Sequence, residues 1–162
     1  MEPVELEKTN KYLLLYFLIG SAILFLFCFS LYVYIGGARK YTPSWNKNEE
    51  TEVLFHIDQI ETINDRLTIT GWAFLQDENI YIFNTKILLY NINTGIFYRV
   101  PTVMQFRSDV SFYYNLNVDR SGWKAIINTN RLSAPVKEFK VYILYQNDFR
   151  YVIVDTGVFL DE

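Results

Sequence analysis

The residues able to carry chemistry are few. His56, in the run Leu-Phe-His-Ile-Asp, is the sole histidine, and Cys28 is the sole cysteine. One His with no Cys near it falls short of the ligand set that a zinc site needs. A Ser-His-Asp triad would use His56 as its base, yet no Gly-x-Ser-x-Gly elbow presents a nucleophile. Phosphate-cradling glycine loops and EF-hand spacing are missing too, so no metal or other cofactor is expected. Carboxylates leave one catalytic option: a pair such as Asp58 and Asp109 could serve glycoside hydrolysis. Most other acids (Asp65, Asp77, Glu78, Asp119, Asp148) stand in turn-like sequence, where such side chains bond the local backbone. The expectation is a non-catalytic protein, with a membrane-tethered glycan hydrolase as the minor alternative.

Arg107-Ser108-Asp109-Val110 is the most suggestive polar segment. On a strand, positions two apart share a face, so Arg107 and Asp109 can pair. Two readings stay open: a surface ion pair worth ~0–1 kcal/mol, or an Asp109 that pins a loop by accepting backbone N–H bonds while Arg107 keeps it ionised. Aromatic residues make up 18% of the chain, enough to furnish both a core and a ring surface. Trp72 after Gly71 and Trp123 after Ser121-Gly122 suit a core between sheets. The alternative is an exposed platform that stacks on sugar rings, with Tyr81, Tyr98, Tyr113 and Tyr114 as further candidates. The candidate ligand-binding set is Trp72, Tyr98, Arg107, Asp109, Tyr113 and Trp123. From Tyr41 onward there are eleven Lys and Arg against fifteen Asp and Glu, a net of −4. With no basic cluster, nucleic acid is not an expected partner.

The elements that must hold these residues read as strands. Short runs rich in Ile, Val, Thr, Tyr and Phe alternate with turn formers from Val53 onward. Arg66 to Phe74 alternates cleanly, with Leu67, Ile69, Gly71 and Ala73 on one face. Further strands are expected over Val53–Ile60, Ile80–Tyr90, Ile96–Val103 (interrupted by Pro101), Asp109–Leu116, Trp123–Ile127, Lys140–Gln146 and Tyr151–Phe159. The clearest turns are at 76–79, at Asn93-Thr94-Gly95 and at 145–149. No window after Gly37 shows a capped helical period. The predicted fold is an all-β, antiparallel, immunoglobulin-like sandwich of seven or eight strands over residues 53–162, with a small barrel as runner-up.

Ahead of it, Tyr12 to Gly37 contains no charge and no Pro, which exceeds the ~20 apolar residues a helix needs to cross a bilayer. A transmembrane helix is predicted at 12–37, after a short tail (1–11) and before a solvated juxtamembrane linker (38–52), where Tyr41 and Trp45 suit the lipid interface. A cleaved secretory signal is the alternative, although its apolar region is usually ~7–15 residues. Lys8 and Lys11 on one side, against Arg39, Lys40 and Lys47 on the other, settle nothing and read literally lean slightly toward an inside C-terminal domain. An extracytoplasmic domain is expected from the layout of tail, anchor and single domain. The domain holds neither cysteines nor Asn-x-Ser/Thr sequons, and Asn, Ile, Lys and Tyr abound while Ala is scarce. The composition points to a low-GC bacterium, and the missing cysteines and sequons fit a bacterial exterior better than a eukaryotic one and a cytoplasm equally well.

Ile69-Thr70-Gly71-Trp72-Ala73, Arg107-Ser108-Asp109-Val110, Ser121-Gly122-Trp123 and Asp155-Thr156-Gly157 follow one another in that order. Together they resemble the small β-sandwich modules of bacterial cell-envelope and surface-polysaccharide proteins, in which a Gly-Trp strand, an Arg-x-Asp-Val segment and a Ser-Gly-aromatic turn recur. The resemblance spans about Val53 to Phe159, with Trp123 where Phe is expected. It implies an accessory role in glycopolymer assembly or recognition and carries no catalytic residues. A minor pilin fits less well, because Tyr12 to Leu18 has no Glu at the helix start. The expected partners are the bilayer, through Tyr12–Gly37, and either an envelope glycan or a membrane-protein partner. The small residues Gly20, Ser21, Ala22 and Ser30 would let a partner helix approach.

Overall fold

The computed structural model describes residues 3–35, 37–43, 53–76, 84–146 and 151–160. The chain divides into two compact units, Met1–Gly36 and Gly37–Glu162. The first is a helix, α1 (Pro3–Ile35), so most of the expected tail is helical. Pro at the first helical position costs nothing there, since that N–H has no intrahelical partner. Its stretch Lys11–Tyr34 is long and apolar enough to cross a membrane. At 1.5 Å per residue, 24 residues reach ~36 Å, more than the ~30 Å hydrocarbon layer. The large apolar side chains from Tyr12 to Tyr34 are exposed. The Ser21 hydroxyl donates to the Phe17 carbonyl (2.8 Å), so this polar group is satisfied within the helix.

The second unit is a β-sandwich, with nine strands among the described residues. These are β1 (Arg39–Tyr41), β2 (Val53–Ile63), β3 (Arg66–Leu75), β4 (Lys86–Asn91), β5 (Ile96–Val100), β6 (Thr102–Gln105), β7 (Gly122–Asn128), β8 (Phe139–Gln146) and β9 (Tyr151–Phe159). Antiparallel pairing builds a five-stranded sheet, β1-β5-β4-β8-β9, and a four-stranded sheet, β2-β3-β7-β6. The chain changes sheet at Pro101, between β5 and β6. A residue without an N–H suits such a crossover, and its carbonyl accepts from Ile126 N–H (3.0 Å).

Alternation positions the core. In β3, Leu67, Ile69, Gly71 and Ala73 face inward as their spacing predicts. They meet Trp123, Ala125 and Ile127 from β7, and Ile87, Leu89, Val141, Ile143 and Tyr145 from the other sheet, in one buried cluster. Asn64 and Asp65 both have positive φ (48° and 60°), the conformation a two-residue hairpin requires, and so close β2 onto β3.

Three expectations change. Asp109–Leu116 is not a strand: Ser108–Tyr114 forms a helix, α2, closed by Asn115 in the left-handed conformation. The backbone groups of this segment bond within the turn, with Ser111 N–H donating to Arg107 O (3.4 Å) and Leu116 N–H to Ser111 O (3.1 Å). The expected linker starts inside a sheet, because Arg39–Tyr41 pair with Arg99, Tyr98 and Phe97. Tyr41 is therefore a sheet residue. Of the strand expected at Ile80–Tyr90, residues 84–90 are described, and the strand itself begins at Lys86. Trp45, Tyr81 and the turns at 77–79 and 147–149 lie outside the described residues.

Candidate functional site

The six predicted ligand-binding residues divide between core and surface. Trp123 is fully buried, and Tyr98 is buried with its hydroxyl accepting from Ser133 Oγ (2.8 Å). Both are structural and unavailable to a ligand. Trp72 is half-buried on the outer face of the four-stranded sheet. Its indole lies 5.5 Å from the Phe74 ring, 5.6 Å from Tyr114 and 6.1 Å from His56. Tyr114 folds from α2 over Phe74, edge to face at 5.0 Å. Of the six, Tyr113 is the exposed ring, at 80%, beside Phe112 at 90%.

Arg107 ties this face together. Its guanidinium forks onto Asp109, Nε to Oδ1 at 2.9 Å and Nη2 to Oδ2 at 2.7 Å. Its Nη1 donates to Asp58. Asp58 is available because the β2–β3 register shifts between Ile57 and Gln59; a bulged residue escapes the pairing and can be re-aimed. Gly122 lets the Arg107 stem cross β7, since a Cβ there would collide with Arg107 Cγ and come within 2.9 Å of the Gln105 carbonyl. Arg107 N–H donates to Asp119 O (2.6 Å), and Ala73 N–H to Ser121 O (3.1 Å). The Gly-Trp, Arg-x-Asp-Val and Ser-Gly-Trp segments thus converge in one structural clamp.

Its electrostatics are those of a brace. The hydrogen bonds from Arg107 pull the Asp109 carboxyl down to about 2, with help from the N–H groups of Val110 and Asp109 itself. In return, Asp109 and then Asp58 hold the guanidinium above its ordinary value. Both sequence readings of Asp109 keep a footing in this geometry: its side chain is 65% exposed, as in a surface ion pair, and through Arg107 it ties the start of α2 to Asp58 of β2. A glycosidase acid must carry a raised pKa. The pair Asp58 and Asp109 shares one Arg, and Asp109 moves the opposite way.

A second surface, outside the predicted set, lies on the outer face of the five-stranded sheet. The strand register arranges its side chains in rows. One row runs Tyr41, Phe97, Tyr90, Lys140, Phe159 across β1, β5, β4, β8 and β9. The next runs Arg39, Arg99, Leu88, Tyr142, Asp155, and beyond it stand Lys86, Leu144 and Ile153. Phe97, Tyr90 and Tyr142 form a ring triad with centroids 4.7–5.7 Å apart. Leu88, Phe97 and Leu144 are buried beneath half-buried Tyr41, Tyr90, Tyr142 and Tyr151.

Lys140 Nζ sits 5.3 Å from the Phe159 ring centre and 5.6 Å from that of Tyr142, and donates to Asp155 (2.7 Å). Tyr142 OH donates to the same carboxylate at 3.0 Å. Burial, then Asp155, pushes the Tyr142 hydroxyl up to about 12. Burial works to raise Asp155, but donors from Lys140, Gly157 and Tyr142 outweigh it and leave the carboxyl low.

The available signal for this face was loss of alternation. Ile87-Leu88-Leu89 and Val141-Tyr142-Ile143-Leu144-Tyr145 are apolar at every position, which marks strands that are apolar on both faces. Among the described residues, no three His, Cys, Asp or Glu side chains converge into a metal-binding group.

Compared with family models, curated proteins and solved structures, the chain matches none.

Proposed function

We propose that this chain is a non-catalytic, membrane-anchored recognition module of a bacterial cell-envelope glycopolymer system, its sandwich displayed outside the cytoplasm. The supporting observation is the aromatic row Tyr41, Phe97, Tyr90 and Phe159 with Tyr142, laid across all five strands of one sheet face. Tyr41, Tyr90 and Tyr142 stand half-buried and Phe159 exposed above the buried Phe97, on strands ~4.8 Å apart, and an extended sugar chain can lie along their outer edges. This is a different surface from the one expected around Trp72, where Tyr114 folds over Phe74 from α2.

The experiment measures retention of the full chain, in phosphatidylcholine nanodiscs, on immobilised envelope polysaccharide fractions. Tyr90→Ala and Tyr142→Ala should each weaken retention about tenfold, equivalent to ~1.4 kcal/mol and near the upper end for a ring contact. Retention by no fraction, or retention indifferent to both substitutions, refutes the reading.

A second reading is favoured by a separate observation. Val103, Phe106, Phe112 and Tyr113 are 68–90% exposed in the β6–α2 region. Phe side chains without polar handles suit protein contact better than sugar contact, which makes this region a docking surface for a membrane-protein partner. Phe112→Ser with Phe106→Ser would then abolish co-purification of that partner and spare glycan retention.

A further inference from the structure

We infer that Lys86 and Arg99 form an anion subsite on the ring-bearing sheet face, which specifies the glycopolymer as an anionic one carrying phosphodiester groups. This rests on the glycan reading and deepens it.

The register places the two cations together. Arg99 lies opposite Leu88, and Lys86 is two residues before Leu88 on the same strand face, so the pair are diagonal cross-strand neighbours. Such neighbours stand ~7–8 Å apart at Cα, within reach of long side chains. Arg39 projects from β1 directly opposite Arg99, adding a third cation to the same corner. The sole carboxylate among the described residues of this face is Asp155, and it is engaged by Lys140 and Tyr142. Lys86 is half-buried, and burial first, then Arg99, lowers its affinity for its proton. Like charges placed opposite one another destabilise a sheet, and this corner concentrates them where the domain as a whole is acidic. An anion seated between Lys86 and Arg99 offsets the repulsion that Arg99 exerts on Lys86.

The chemistry selects the occupant. Arg offers a planar fork and Lys a point charge, a combination suited to phosphate oxygens. One row from Arg99 and two from Lys86, the half-buried rings of Tyr41 and Tyr90 receive sugars. A chain alternating sugars with phosphodiesters satisfies both rows in one pose.

The test uses the full chain in phosphatidylcholine nanodiscs, with dextran phosphate and unmodified dextran as probes and a salt series for each. The subsite predicts at least tenfold tighter binding of dextran phosphate at low salt. That preference should shrink toward unity in the double variant Lys86→Gln, Arg99→Gln and stay intact in Lys124→Gln, a cation of the other sheet. Because removing the two cations relieves repulsion, the double variant should melt no lower than the parent, which separates lost binding from lost folding. A phosphate preference that survives the double variant overturns the inference, as does equal binding of the two dextrans or binding of neither. Capture by phosphatidylglycerol vesicles without any phosphate preference among the dextrans also overturns it, assigning the corner to lipid headgroups. None of these outcomes touches the envelope-fraction assay with Tyr90→Ala, so failure of the subsite and failure of the glycan reading are read separately.

Discussion

Gly71 lies directly opposite Trp123 across the β3–β7 pairing, and the Trp123 indole fills the space that a side chain at position 71 would need. A Cβ built on Gly71 would stand 2.6 Å from Trp123 Cζ2 and would also run into the backbone carbonyl oxygen of His56. The Gly-Trp dipeptide of β3 therefore owes its glycine to a different tryptophan, one far along the chain on β7. Trp123 is fully buried and sits where the two sheets share their core.

Gly71→Ala should destabilise the domain by ~1–3 kcal/mol, the range for overpacking a filled core. The nearest obstacle, the His56 carbonyl, belongs to a paired strand, so β2 must shift against β3 and the indole must give way as well. In urea titrations, the double variant Gly71→Ala, Trp123→Phe should recover part of the loss relative to the sum of the two single changes, because both sites share one volume. Strict additivity would show that the contact carries no energy.

Acid stability should depend on Arg107. Asp109 has its folded pKa depressed to about 2, below the ~3.9 of an unfolded chain. A depressed carboxyl contributes stability that is fully present above the unfolded value and is lost as pH falls through the folded one. The window is therefore from about pH 4 down to about pH 2. Arg107→Gln should move the Asp109 titration, followed by its side-chain carboxyl NMR signal, up toward the ordinary aspartate value and flatten acid unfolding across that window. Arg107→Lys should rescue only part, since an ammonium cannot fork onto Asp109 and reach Asp58 together. An Asp109 that titrates unchanged in Arg107→Gln would refute the brace.

The sequence made β3 and β7 legible because each has one dry face, so alternation with period two is written into the residues. The same rule left the five-stranded sheet's outer surface unseen, since Leu88 and Leu144 break the alternation by being apolar on the second face. α2 was hidden for another reason. Ser108 to Tyr114 is rich in residues of high strand propensity, yet its seven residues are held by local tertiary bonds. One of these is Val118 N–H donating to Ser111 Oγ (2.9 Å). Asp109 in the first turn and Asn115 at the left-handed cap were the readable traces of it. The Arg107–Asp109 pair does form, although at a helix start instead of along a strand. Asp58 joins it through a bulge that sequence spacing does not register.

Alkaline titration should single out Tyr142. Its folded pKa is raised to about 12 from the ~10 of an unfolded tyrosine. Stability linked to a raised group is complete below the unfolded value and is lost as pH rises toward the folded one, here from about pH 10 to about pH 12. The ring NMR signals of Tyr142 follow its ionisation directly. Asp155→Asn removes the negative charge that accepts its hydroxyl, so Tyr142 should titrate earlier while burial keeps it above an exposed tyrosine. A Tyr142 already ionising near its ordinary value in the parent protein would contradict the packed ring triad.

Anchoring should hinge on the apolarity of α1. Ile23 is near the middle of the apolar stretch Lys11–Tyr34 and is 62% exposed. An Arg at the centre of a membrane helix costs ~2.5–3.5 kcal/mol on insertion scales, whereas Ile is favourable there. The parent chain should resist alkaline carbonate extraction from membranes, Ile23→Val should behave identically, and Ile23→Arg should appear in part in the soluble fraction. Ser21→Leu should leave the anchoring intact, because the Ser21 hydroxyl already bonds the Phe17 carbonyl of its own helix and presents little unmet polarity to lipid. Release of the parent chain by carbonate would remove the anchor, and with it the tethering on which the glycan reading depends.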